Sequence, residues 1–366
     1  RKQKRTAIDI LRAVSIRMPM LVYGANVSVR ENITLDMFID LVDEESWEEF
    51  MPPGLTKEKF REFTKYYDQD VFKGVAKNIR AKAYECDDLL PTERIEAIAE
   101  IFSTFKNPDK ETVLTPWNVV NMHMTLAFGG HNFTSGIRDK EDKPTWVSPT
   151  HGENIWEQPD VKVLEINSKS GMYPLLAAYN VYTRKLKKLK QPEEKVAQKL
   201  WKEVLEENIY VLCKSPMAKS ITERTLRGYN QGTDTNIVYI DHLVDKLKQT
   251  DKYKEYDVRA ELLQKFEIKD KDMKFTAVVG NPPYQETISG YNRQEPIYQY
   301  FYDSSEKLGE KYSLISPARF LFNAGLTSSV WNQKMLNHTH LDSIYFEPNS
   351  AKLFPNTDIK GGVVIM

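Results

Sequence analysis

Residues 275–284 read FTAVVGNPPY, a short apolar run that passes directly into Asn281-Pro282-Pro283-Tyr284. The run has the composition of a buried strand, and two prolines end it because neither can donate to a ladder. A residue before proline is pushed into extended backbone, so Asn281 is held with its carboxamide projecting beyond the strand end. The Asn281 side-chain oxygen and the Pro282 carbonyl are then two acceptors that can converge on one small donor, with the flat ring of Tyr284 nearby.

Further apolar runs lie on either side of this one: Val161–Ile166, Ile209–Leu212, Ile237–Ile240, Tyr312–Ile315, Ile344–Phe346 and Gly362–Ile365. Amphipathic stretches separate them. Strands alternating with helices predict an α/β fold, an open and mostly parallel Rossmann-like sheet with helices on both faces. Ligands of such sheets sit beyond the carboxyl ends of the strands, which directs attention to the loops after Ile166 and Val279. Residues 1–110 have a different texture and predict an α-helical domain. Ile95, Ile98, Phe102 and Phe105 recur at helical spacing behind Thr92, and Phe60, Phe63 and Tyr67 behind Thr56, with both threonines in N-cap position. The acidic stretch Asp43–Glu49 reads as a solvated face, and His131–Gln158, rich in Gly, Pro, Asn and Thr, as an irregular excursion.

Composition narrows the function. The 366 residues carry 51 Lys+Arg against 52 Asp+Glu, and residues 1–110 alone are as balanced, with 18 basic and 20 acidic side chains. A nucleic-acid site must therefore be a local patch or a shaped cleft. Two cysteines, Cys86 and Cys213, argue against a disulfide framework and fit a reducing cytoplasm. No apolar run approaches the ~18 residues of a membrane span. The basic first residues resemble a signal peptide, but Asp9, Arg12 and Arg17 interrupt its apolar core. The first residue is not Met and the last residues read as the middle of a strand, so the chain is expected to be a fragment of a longer protein. No Gly-Lys-Ser/Thr phosphate loop is present.

A planar heterocycle bearing an NH2 group suits the Asn281–Tyr284 arrangement. The exocyclic amine of adenine is a poor nucleophile, because its lone pair is delocalised into the ring. Two acceptors gripping its hydrogens favour the pyramidal form and offset the charge that develops during attack. Stacking on an aromatic ring, worth ~1–3 kcal/mol per base, helps offset the cost of flipping a base out of duplex DNA.

These residues resemble the catalytic motif of S-adenosylmethionine-dependent amino-methyltransferases, and most closely the N6-adenine DNA methyltransferases of restriction–modification systems. Residues 115–122, TPWNVVNM, resemble the family's Thr-Pro segment, and residues 163–171, VLEINSKSG, its cofactor loop. Residues 312–320, YSLISPARF, and 353–363, LFPNTDIKGGV, resemble later strands of the same domain. The resemblance implies a catalytic domain over 111–366 whose target-recognition region lies outside this sequence, preceded by a helical connector over 1–110. It implies catalytic roles for Asn281, Pro282, Pro283 and Tyr284. S-adenosylmethionine would be held by Thr115, Pro116, Glu165, Asn167 and Gly171, with Cys213, Asp241 and His242 ending the next two strands. The implied partner is double-stranded DNA with a flipped adenine, and helicase or nuclease and target-recognition regions are expected in the same full-length chain. Ile166 and Lys169 depart from the family's Pro and Gly, and Cys213 stands where a ribose-binding carboxylate is usual. Two other readings stay open: a protein-glutamine N5 or RNA base methyltransferase, and a non-catalytic DNA-binding or assembly module with a degenerate cofactor pocket.

The basic cluster Arg184, Lys185, Lys187, Lys188 and Lys190 lies ~28 Å along a helix from Gly171, on the side away from the expected site. His338 and His340 have no partners at metal-ligand spacing, and Tyr298, Tyr300, Phe301 and Tyr302 read as core packing. The loop Glu286–Glu295, with Gly290, is placed to move over a substrate.

Overall fold

The computed structural model describes residues 7–106, 114–134, 143–150, 152, 154–189, 194–287, 294–355 and 357–366. Each of the seven apolar runs forms a strand of one sheet: β1 (Val163–Ser168), β2 (Ile209–Cys213), β3 (Asn236–Tyr239), β4 (Phe275–Gly280), β5 (Gly309–Pro317), β6 (Tyr345–Glu347) and β7 (Val363–Ile365). Their order is β6-β7-β5-β4-β1-β2-β3. β3, β2, β1, β4 and β5 run parallel, whereas β7 is antiparallel to both its neighbours. From β1 the chain builds outward to β3, then returns to lay β4 on the other flank of β1. That reversal makes the carboxyl ends of β1 and β4 the crevice of the sheet.

Strand alternation divides the core. Leu164, Ile166, Leu212, Val278 and Leu314 face a cluster completed by Tyr298, Phe301 and Tyr302 of the helix Tyr298–Leu308, the packing role expected of those aromatics. Val163, Val211, Cys213, Ala277 and Val279 face the other way, into a cluster that also holds residues of the N-terminal helices. The helices of that side include α1 (Ala7–Gly24), α2 (Glu44–Phe50), α3 (Pro91–Ser103), α4 (Trp117–Phe128) and α5 (Met172–Lys187), together with α6 (Pro216–Arg227) beneath α1. α1 lies so close to α6 that a Cβ on Gly24 would run into Ile221. Arg94 of α3 donates to the Thr225 carbonyl at 2.7 Å, giving the last turn of α6 a charged donor. The helical segment and one face of the sheet thus share a single core.

Several local expectations change. Thr56 does cap its helix, accepting from the Lys59 N–H, but that helix ends at Arg61, before Phe63 and Tyr67. α3 starts at Pro91 with Leu90 as N-cap, because proline at N1 presets the helical φ. Thr92 instead bonds the Tyr179 hydroxyl at 3.0 Å, and Phe105 lies beyond the end of α3. The acidic stretch is not a solvated face: Asp43 caps α2, whose Ser46, Trp47 and Phe50 are buried. The 131–158 excursion contains a small hairpin, Gly130–Asn132 against Thr145–Val147; positions 135–142 fall outside the described residues. In the basic cluster Arg184 pairs with Glu157 and lies over Trp146, Lys185 pairs with Glu207 and Lys187 also lies over Trp146; Lys190 lies outside the described residues. So does Gly290, while the described flanks of its loop form a hairpin, Gln285–Thr287 against Gln294–Pro296, braced by Lys248 on Glu286 and Glu295.

At the crevice, β4 approaches β1 without a side chain between them: a Cβ on Gly280 would lie 2.6 Å from the Ile166 carbonyl oxygen. Gly280→Ala is therefore expected to push the strand ends apart and cost ~1–3 kcal/mol, read as a lower urea midpoint with an unchanged slope.

Candidate active site

The close approach at Gly280 sets Asn281 beside the end of β1. The Asn281 Nδ2 donates to Thr115 Oγ1 at 3.1 Å, so the motif after β4 and the Thr-Pro segment meet directly. Pro116 is the N-cap of α4, which fixes Thr115 just ahead of the first turn. Glu165, third residue of β1, pairs in register with Val279 of β4. It lies near the hydroxyl of Tyr173 on α5, which also has Thr115 and Tyr284 close by. Residues about 166 positions apart in sequence thus converge in one buried polar cluster.

The cluster is short of partners. Glu165 Oε2, both polar atoms of the Asn167 carboxamide, Asn281 Oδ1 and the Tyr284 hydroxyl are buried with no hydrogen-bond partner among the described residues. Burial pushes the Glu165 carboxyl up to about 8, a hydrogen bond from Ser168 offsetting part of the effect. Asn167 sits at φ 68°, the left-handed region, where asparagine is one of the few tolerated residues; this breaks the β1–β2 register between Ile166 and Ser168. An unpaired carboxyl and an unpaired carboxamide at the end of β1 suit a ligand that brings both an ammonium and a carboxylate, as the methionine part of S-adenosylmethionine does. Beside them a cavity of about 380 Å³ is lined by Phe102, Thr115, Pro116, Ser170 and Met172. Asn281 and Tyr284 are not in its wall.

The remaining expected site residues have other surroundings. Gly171, at φ 76°, is the N-cap of α5, and the space a side chain would need there is filled by Thr222 and Thr225 of α6. Its freedom serves helix packing against the loop. Cys213 is fully buried with its sulfur 3.9 Å from the Thr222 hydroxyl, and burial together with the Glu165 carboxyl raises its thiol pKa. Asp241 and His242 are exposed at the end of β3. Glu45 of α2 lies against both, its Oε1 3.4 Å from the His242 N–H. Pro282 and Pro283 are buried beneath Asn281. The ring of Tyr284 packs with Val119, Ile315 and Phe354, so it is held in a core cluster rather than offered as an open face.

Three residues that sequence reasoning passed over belong to this cluster: Tyr173, His123 and Ser313. His123 follows the Thr-Pro segment by two turns and Ser313 lies near the start of YSLISPARF, but nothing marks either as paired with the other. Among the described residues no group of His, Cys, Asp or Glu is arranged to hold a metal ion, and no helix is long and apolar enough to cross a membrane.

Residues 207–354 match the model of the Eco57I restriction-modification methylase family. The matched stretch contains β2 to β6 and the Asn281 motif; β1 and the Thr-Pro segment precede it. The sheet is Rossmann-like, mostly parallel, with its order reversing between β1 and β4. Over residues 207–354, less than half of its length, the chain is similar to restriction-modification methylases. Among solved structures it is similar to a chain of a type I R-M system (12% identity, TM-score 0.44, covering 100% of this chain and 74% of that one). A type I restriction-modification methyltransferase subunit from Streptococcus thermophilus shows 12% identity and TM-score 0.42, over 100% of this chain and 81% of that one. The ATP-dependent Type ISP restriction-modification enzyme LlaBIII bound to DNA shows 12% identity and TM-score 0.40, over 85% of this chain and 21% of that one. No curated protein matches the sequence.

The raised carboxyl of Glu165 gives a signed expectation. Its pKa is about 8 in the folded protein against 4.5 for the ordinary group, so the unfolded state releases the proton first as pH rises. Its contribution to stability is full below pH 4.5 and is lost up to about pH 8, by at most ~1.4 kcal/mol per pH unit. Glu165→Gln should match the parent protein in stability at pH 4.5 and exceed it progressively towards pH 8, as read from urea midpoints across that range.

Proposed function

We propose that this chain transfers the methyl group of S-adenosylmethionine to the N6 amine of an adenine flipped out of duplex DNA, as the modification activity of a restriction–modification system. The observation that carries the reading is the state of the Asn281 carboxamide. Its nitrogen is spent on Thr115, and its oxygen, at the carboxyl end of β4, is buried and unpaired. That oxygen and the Pro282 carbonyl are the two acceptors for the hydrogens of an exocyclic amine. Holding both hydrogens turns the nitrogen lone pair out of the ring plane, towards the side where Glu165 and Asn167 would hold the methionine part of the cofactor. The cofactor supplies an electrophilic methyl group on a sulfonium; the residues around it bind, orient and exclude water. The methylated amine then carries an extra proton, which leaves to water or to a nearby acceptor.

Tyr284 is part of the Val119–Ile315–Phe354 cluster, so a purine beside Asn281 must part some of those contacts, and stacking on Tyr284 offsets that loss. The ribose and adenine of the cofactor would lie beyond β2 and β3, where Glu45 and Glu49 of α2 flank Asp241 and Cys213. α2 thus brings carboxylates to the place where Cys213 replaces one. We infer that residues 1–110 act as the helical connector and that helicase or nuclease and target-recognition functions belong to the same full-length, cytoplasmic protein. The motif Asn-Pro-Pro-aromatic is shared with enzymes that methylate glutamine or RNA bases, so the acceptor is the point to measure.

Tritium transfer from labelled S-adenosylmethionine is expected into adenine-containing duplex DNA, with none into RNA or protein. Asn281→Ala should lower it by at least ~100-fold while calorimetry shows cofactor affinity kept within about threefold. Glu165→Ala should instead weaken cofactor binding. Label confined to protein or RNA, or transfer surviving in Asn281→Ala, overturns the assignment; absence of any cofactor binding favours a non-catalytic module.

A further inference from the structure

The carboxyl ends of the strands carry opposite charge on their two flanks. α2 is docked over β2 and β3, its Ser46 accepting from the Met217 N–H at 2.9 Å and its Glu45 lying against His242. That docking sets Asp43, Glu44, Glu45, Glu48 and Glu49 there beside Asp241. Lys57, which pairs with Glu44, and Lys214, which follows β2, offset only part of this charge. On the other flank, residues 318–332 follow β5 and hold Arg319 with no acidic side chain. Residues 348–362, which lead into β7, add Lys352 and Lys360 against Asp358, with Lys352 paired to Glu347. Arg319 makes no ion pair among the described residues. Its stem crosses Gly361, where a Cβ would lie 2.5 Å from the Arg319 Cγ. A polyanion nearing the strand ends is repelled over β2 and β3 and drawn to the β5 side.

The loop after β5 also turns large apolar side chains outward. Phe322 is 63% and Leu326 59% exposed. The Phe322 ring meets the exposed ring of Phe346 on β6 at 5.9 Å between centroids, so this is a patch and not one stray side chain. The backbone beneath is held in place. The Ala318 N–H donates to the Gly362 carbonyl and the Ala324 N–H to the Arg319 carbonyl, both at 3.0 Å. Phe320 is fully buried with its ring 5.1 Å from that of Trp331, and Thr327 donates to Asn332 at 2.7 Å. Register places the loop relative to Asn281. Gly280 pairs with Leu314, and β5 runs on to Pro317. Those three residues carry the loop roughly 10 Å farther out than Asn281. Phe346 sets Phe322 two to three strand spacings to the side, roughly 10–15 Å. A projection of that height reaches the base stack through a groove about 8 Å deep.

We propose that Arg319, Phe322 and Leu326 form a docking surface for duplex DNA, in which the guanidinium meets a backbone phosphate and the two apolar side chains press into a base step a few base pairs from the extruded adenine. The inference rests on the reading of this chain as a DNA methyltransferase. Apolar side chains inserted at a base step unstack it and bend the duplex, and a base in a loosened stack costs less to turn out. Charge selects the occupant: the patch is bordered by an unpaired cation and no carboxylate, on the flank next to β4, while the acidic flank lies across the sheet. The fixed loop matters for the same reason, because a wedge that collapsed onto its own surface would not open a stack.

The test uses the full chain and a mixed-sequence DNA duplex, intact or lacking one base near its centre, with binding read by fluorescence anisotropy across a salt series. A missing base lowers the cost of insertion, so the parent protein should bind that duplex about tenfold more tightly than the intact one. The double variant Phe322→Ser, Leu326→Ser should bind the two within about twofold of each other. Arg319→Gln should weaken both duplexes alike and reduce the slope of log affinity against log salt by about 1. Val71→Ser removes an equally exposed apolar side chain from the helix Gln69–Glu85 and should change neither quantity. All these side chains are at the surface, so the variants should keep the parent urea midpoint. A double variant that retains the preference, an unchanged salt slope in Arg319→Gln, or a parent protein that binds neither duplex overturns the proposal. So does a concentration-dependent dimer, seen by sedimentation, that the double variant abolishes while its DNA affinity stays that of the parent; the patch is then a contact between copies. Binding is measured without S-adenosylmethionine, so the two readings fail separately. A chain that docks DNA as described but transfers label only to RNA or protein defeats the methylation reading, whereas transfer to DNA at the parent rate in the double variant defeats the wedge and leaves methylation standing.

Discussion

The contact on which the site depends is between two backbones. Gly280 of β4 passes the Ile166 carbonyl of β1 with no room for a side chain, at the point where the order of the sheet reverses. That approach brings the chain emerging from β4 alongside Glu165 and Asn167. Proline at 282 and 283 then holds the emerging backbone extended, and Thr115 fixes the carboxamide that follows. Removing the side chain at one position allows two loops more than a hundred residues apart to lie side by side.

Around this contact the protein leaves polar groups buried and unpaired at one place, which a folded chain ordinarily avoids. Glu165, Asn167 and Asn281 lie together at the end of β1 and β4, and the carboxyl of Glu165 stays protonated at neutral pH in the absence of a cation. Those orphaned groups cost stability and are compensated by the core that the N-terminal helices share with the sheet. α1 against α6, Arg94 on the carbonyls of α6 and the buried face of α2 hold rigid the helices from which the site is assembled. The helical segment is thereby part of the structure that carries the chemistry.

The sheet was legible because each of its strands is a short apolar run bounded by polar or turn-forming residues, and all seven runs are strands. The Asn281 motif was legible for a related reason: proline constrains its own neighbours, and that constraint needs no tertiary knowledge. Reading failed where tertiary contacts decide. Thr92 has the identity of a cap but stands behind a proline that starts the helix. The acidic run Asp43–Glu49 conceals Ser46 and Trp47, which with Phe50 become visible as a buried face only once α6 is there to cover it. Tyr284 looked like a stacking surface and lies in a cluster built from β5, β7 and the segment around Phe354. His123 and Ser313, 190 residues apart, are ordinary residues singly, and their pairing appears only once α4 is packed against β5.

Both thiols of the chain are enclosed, Cys213 against Thr222 and Cys86 beneath the Lys82 carbonyl, and burial raises the pKa of each. The thiolate is the reactive form, so alkylating reagents and peroxide meet almost no nucleophile while the fold is closed. Labelling of Cys86 then reports opening of the helical segment, and labelling of Cys213 reports separation of α6 from the sheet. The position that lacks a carboxylate thus doubles as an intrinsic sensor of local unfolding beside the cofactor loop.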